Sequence, residues 1–149
     1  MTLSNSIDVS AADYEAGFVE VSFLLEILAQ TVEEIIGNPA PLGVSAGRVA
    51  AAKMVTDIKE KDLKNVLDTL LPLMKNGFEY SYSLDDTSAN LKVGHCLVRD
   101  LCKKQNEEVG GKLCKLYHHY LAGIMSHLLT RQSRVLQTSA GEVCELEVQ

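Results

Sequence analysis

The sequence has no long apolar run. Although 46% of its 149 residues are hydrophobic, the unbroken stretches span a few residues, far short of the roughly 20 that a membrane-crossing helix requires. No membrane span is therefore expected. Met1 to Ser10 has neither a basic cluster nor an apolar segment ending in small residues, so it does not read as a secretory signal, and a soluble, cytoplasmic chain is expected. Basic residues are also scarce. Fourteen Lys and Arg against twenty Asp and Glu leave a formal charge of -6, and Lys103-Lys104 is the only adjacent pair. Nucleic-acid binding needs a basic face to meet the phosphates, so that class is not expected. Repeats, low-complexity tracts and linkers are missing too. Gly37-Asn38-Pro39-Ala40-Pro41 is too short to separate domains and reads as a turn. The length suits one domain, residues 1–149, that buries about two thirds of its unfolded surface and folds without disulfide or metal.

What is present divides into a tail (1–12), a helical region (13–76) and a hairpin-helix-hairpin region (77–149). Asp13 is positioned to cap a helix in which Phe18, Val21, Leu25, Leu28, Val32 and Ile35 recur every three or four residues, and Gly37 stops it. Gly43, Ala46, Gly47, Ala50 and Ala51 make the next segment small enough for another backbone to approach closely. A third helix, about 61–75, places Leu63, Val66, Leu67, Leu70 and Met74 on one side, with Pro72 expected to kink or shorten it. The period then drops to two. Phe78, Tyr80, Tyr82 and Leu84 alternate with polar residues, and Leu91 to His95 resumes alternation after Asp85-Asp86-Thr87-Ser88, giving a hairpin over 78–96. Residues 100–108 are ambiguous. Leu113, Tyr117, Tyr120, Ile124 and Leu128 share one face of a helix over about 112–131, and a second hairpin closes around Ser139-Ala140-Gly141. The expectation is an α+β fold, an antiparallel sheet of two hairpins packed on helices, with N-terminal helices preceding the sheet.

Residues 91–148 resemble the 4-vinyl reductase domain, also called the hydrocarbon-binding domain, whose distant relatives include TRAPP transport subunits. The similarity is carried by Leu91-Lys92-Val93-Gly94-His95-Cys96, Cys114, Tyr120-Leu121-Ala122-Gly123-Ile124 and Gly141-Glu142-Val143-Cys144-Glu145-Leu146-Glu147-Val148. Ala46-Gly47-Arg48-Val49-Ala50 and residues 63–82 extend it upstream to about Gly43. The resemblance implies a small hydrophobic ligand or sensory role, a scaffold role as in the transport relatives, or an accessory role in tetrapyrrole vinyl reduction. It also implies metal binding through equivalent cysteines. The family often carries an acid and a further Cys before the terminal Gly-Cys pair; here 133–138 has neither.

Cys114 and His118, four apart, lie on one helix face and can supply two ligands to a tetrahedral zinc, with Cys96 and Cys144 completing it from the hairpins. The same three cysteines, and Cys102 with them, also suit buried thiols. A Cys-His nucleophile is not expected, because no orienting group or oxyanion donor accompanies the pair. Gly110-Gly111-Lys112 lacks the spacing of a phosphate loop, and His95 and His127 read as surface or core histidines. Phe78, Tyr80, Tyr82, Tyr117 and Tyr120 either line an apolar cavity or make a closed core, with Gly123 beside them as a point of close approach by ligand or backbone. Phe18, Val19, Phe23, Leu24, Ile27 and Ile36 give the first helix apolar residues on more than one face, which predicts a homodimer.

Overall fold

The computed structural model describes residues 9–149. Helix α1 (Ala11–Ile36) begins in a capping box. The Ser10 hydroxyl accepts from the Asp13 backbone N–H at 3.2 Å, and the Asp13 carboxylate accepts from the Ser10 N–H at 2.8 Å. Ser10 is therefore the cap and Asp13 its reciprocal partner, which moves the helix start back from the expected residue 13. Gly37, at φ 82°, ends it in the left-handed conformation that only glycine adopts without cost. The expected core stripe of α1 is largely exposed: Phe18 is 58% and Ile35 77% accessible, and the helix buries only Ser22 and Ala29.

Helix α2 (Ala40–Lys53) follows directly, with proline at its first turn. Helix α3 (Leu63–Met74) starts at Asp62, whose carboxylate accepts from the Asn65 N–H at 2.9 Å, and buries Val66, Leu67 and Leu70. Pro72 sits in its last turn, where the missing N–H removes one hydrogen bond just before the helix ends.

Strands β1 (Phe78–Leu84) and β2 (Ala89–Cys96) form the first hairpin, and β3 (Val135–Ser139) and β4 (Cys144–Val148) the second. Between them lie α4 (Leu97–Lys104), which resolves the ambiguous stretch, and α5 (Lys112–Leu129). The sheet is antiparallel with order β1-β2-β4-β3, so the hairpins join through their inner strands, Leu91 opposite Leu146 and Val93 opposite Cys144. Ala89, Leu91, Val93, Leu146 and Val148 bury one face of the sheet against Leu121, Ile124, Met125 and Leu128 of α5 and the apolar side of α3. The α+β architecture expected from the sequence is present.

Helices α2 and α5 cross with their backbones touching. A Cβ on Gly47 would stand 2.0 Å from the Tyr120 carbonyl oxygen, and one on Gly123 would stand 2.1 Å from that of Val44. Only glycine permits this approach. Gly123 thus meets another backbone, not a ligand.

Candidate ligand cavity

On the side of α5 away from the sheet, four helices leave space between them. The cavity measures about 470 Å³ and is walled by Leu25, Leu28 and Ala29 of α1, Leu42 and Ala46 of α2, Val98 and Leu101 of α4, and Leu113, Leu116, Tyr117 and Tyr120 of α5. That volume lies in the range of small-molecule sites. Leu25, Leu28 and Leu42 are 45–50% exposed along its rim, so the mouth opens between α1 and α2. The wall is carbon almost throughout. Its one small hydroxyl, Ser22, already donates to the Val19 carbonyl at 2.7 Å and accepts from the Gln105 amide at 2.7 Å. The same Gln105 amide donates to the Val19 carbonyl at 3.0 Å, tying the end of α4 to the middle of α1, while its own Oε1 is buried without a partner.

The aromatic set divides. Tyr117 and Tyr120 line the cavity. Tyr80 stands behind Tyr117, the two hydroxyls 3.1 Å apart, and Phe78 stacks on Tyr117 with centroids 4.9 Å apart. Burial raises both Tyr80 and Tyr117 above the ordinary phenol range, so both remain protonated. Tyr82 points to α3 and donates to Asp68 at 2.5 Å. Phe78, Tyr80 and Tyr117 therefore make a packed aromatic layer between sheet and helix, and the open space lies beyond it, between helices. Of the two alternatives the aromatic alternation leaves open, the sheet side of Tyr117 is the packed one, and the cavity lies on its other side. Its further lining residues, Leu25, Leu28, Leu42 and Ala46, are visible in the sequence as an apolar stripe and a small-residue segment, but nothing there shows that the two face each other across a gap.

Cys96, Cys114, His118 and Cys144 are brought together around one void of about 10 Å³. Among the described residues, however, no three His, Cys, Asp or Glu side chains are placed to hold a metal ion. Arg99, which no motif or spacing in the sequence singles out, lines the same void. It is buried among them, donates to the carbonyls of Val93 and Gly94, and approaches the Cys144 sulfur at 3.9 Å. Cys96 caps α4, its sulfur accepting from the Arg99 backbone N–H at 3.4 Å. A guanidinium at the centre of a thiol cluster repels a second cation, so the zinc shell expected from spacing does not fit this arrangement. His118 has its pKa pushed down to about 4 by burial and by neighbouring His119, so it is neutral near pH 7. A second thiol contact lies beside this void: Cys102 and Cys114 face each other with sulfurs 3.8 Å apart.

No protein-family model matches the sequence, and no curated protein matches it significantly. The fold is shared with a sensory domain. The crystal structure of the phenol-responsive sensory domain of the transcription activator PoxR, with phenol, superposes at a TM-score of 0.58 over 85% of this chain and 73% of that one, at 11% identity. The likeness extends to architecture, an antiparallel sheet with helices. The resemblance of residues 91–148 to the 4-vinyl reductase domain has no support from a family model. No helix among the described residues is long and apolar enough to cross a membrane.

Proposed function

We propose that this chain is a sensory or carrier domain for a small apolar molecule, held between α1, α2, α4 and α5. The observation that carries this reading is the carbon-lined cavity, whose wall offers no unpaired small hydroxyl and no charge. Burial of apolar ligand surface at about 25 cal/mol per Å² is then the main source of affinity. The fold shared with a phenol-responsive sensory domain supports the reading. An accessory role in tetrapyrrole vinyl reduction rests on the sequence resemblance alone, and the cavity wall presents no carboxylate, imidazole, amine or thiol for it.

The test is titration with a hydrophobic fluorescent probe and with simple aromatic hydrocarbons in competition. Ala46 sits at the exposed rim, so Ala46→Trp fills the space without overpacking the core. Saturable binding at one site, lost in Ala46→Trp at unchanged melting temperature, is expected. Equal binding by both proteins would place the probe elsewhere and remove the reading.

We also propose that the chain is a homodimer through α1. The specific observation is that Phe18, Val21, Phe23, Leu24, Leu25, Ile27 and Leu28 are all 42–58% exposed, so apolar side chains stand around the helix instead of along one stripe. A surface of this kind fits a second copy of the same helix. Zinc at Cys96, Cys114, His118 and Cys144 requires Arg99 to leave. Metal analysis of protein purified without chelator decides that reading: one equivalent, lost in Cys144→Ser, would establish it.

A further inference from the structure

All four cysteines are free, and three belong to the cluster around Arg99. The fourth, Cys102, contacts only one of them. Cys102 and Cys114 sit on different helices, α4 and α5, with sulfurs 3.8 Å apart in a small apolar cluster with Leu113. A disulfide needs about 2.0 Å between sulfurs, so the two sulfurs must close the remaining gap before a bond forms. The two thiols are not equivalent. Cys114 is the third residue of α5, where free backbone N–H groups and the helix dipole favour an anion, and it shares its void with the Arg99 guanidinium. It is also the more accessible, 6% exposed against 1% for Cys102. No carboxylate is in ion-pair contact with Arg99 among the described residues, and the sulfur that its guanidinium touches is that of Cys144, across the void from Cys114.

We propose that Cys102 and Cys114 are an oxidisable pair that a hydroperoxide closes to a disulfide. The Cys114 thiolate attacks one peroxide oxygen; the O–O bond breaks, hydroxide leaves and is protonated to water, and Cys114 becomes a sulfenic acid. The Cys102 sulfur then attacks the Cys114 sulfur, the S–O bond breaks, and a second water leaves with the Cys102 proton. Two thiols lose two electrons in total, and one hydrogen peroxide is reduced to two waters. Leu113 and Val98 of the same apolar cluster also wall the cavity. Closing the bond between α4 and α5 therefore shifts that wall, a consequence that rests on the ligand reading above.

The experiment uses the unmodified full chain. Reduced protein is treated with hydrogen peroxide near stoichiometry, remaining thiols are alkylated, and peptides are mapped by mass spectrometry without reduction. A 102–114 link with Cys96 and Cys144 alkylated is expected. In Cys102→Ser, the sulfenic acid at Cys114 persists and is trapped by dimedone. Overturning results are prior oxidation of Cys96 or Cys144, a different pairing, or full alkylation at peroxide levels that oxidise free cysteine. Probe affinity of oxidised and reduced protein is read separately. A several-fold difference is expected, and equal affinities would overturn the coupling to the cavity while the peptide map decides the pair.

Discussion

His118 shows what burial does to a single side chain. Its folded pKa, about 4, lies below the 6.5 of an unperturbed imidazole. Between those values the unfolded chain binds a proton that the folded one does not, so stability is full above about pH 6.5 and falls as the solution is acidified towards pH 4. The loss should be roughly 1–3 kcal/mol, and His118→Gln should flatten that stretch of a stability-against-pH curve followed by urea denaturation. An unchanged slope would mean that water reaches the ring. Gln105 makes a second case at this scale. Its amide ties α4 to α1 through the Ser22 hydroxyl and the Val19 carbonyl, so Gln105→Ala should release α1 locally. Faster proteolysis within 11–36 at nearly unchanged global stability is the expected outcome.

Between α2 and α5 the decisive atoms are the ones missing from Gly47 and Gly123. Gly47→Ala places a methyl group 2.0 Å from a backbone carbonyl that cannot rotate away, so the helices must separate at a cost of about 1–3 kcal/mol. Its neighbour Ala46 is exposed and should accept even tryptophan, so thermal melts of Gly47→Ala and Ala46→Trp should diverge sharply although the residues are adjacent. Much of this is legible in the sequence. Gly43, Ala46 and Gly47 announce close packing, the change of period at Phe78 announces the sheet, and both hairpins form where turn residues stand. What stays hidden is long-range. Periodicity reports which residues of α1 share a face, but not that only Ser22 and Ala29 find something to bury against. Spacing puts Cys114 and His118 on one face but carries no sign that Arg99, from another helix, occupies the space between the thiols. The aromatic alternation of Phe78, Tyr80 and Tyr82 is the same for a cavity or a core, and the side-chain hydroxyl contacts that separate Tyr82 from Tyr80 join residues 14 and 37 positions apart.

For the molecule as a whole, the exposed apolar length of α1 sets the expected behaviour in solution. Size exclusion with light scattering should give twice the 16.3 kDa chain mass at micromolar concentration, and Phe23→Glu with Ile27→Glu should return a folded monomer. A wild-type monomer throughout that range would remove the dimer. The order of the sheet has a different kind of consequence. β4, the latest of the four strands to be synthesised, is an inner strand, paired with β2 on one side and β3 on the other, and its Val148 is fully buried. On the ribosome, β1, β2 and α5 therefore emerge before the strand that pairs with the other side of β2. The nascent chain must carry an unpaired β2 edge and the uncovered faces of Leu91 and Val93 until residues 144–148 clear the exit tunnel, which makes that interval the point in its life when it most needs a chaperone.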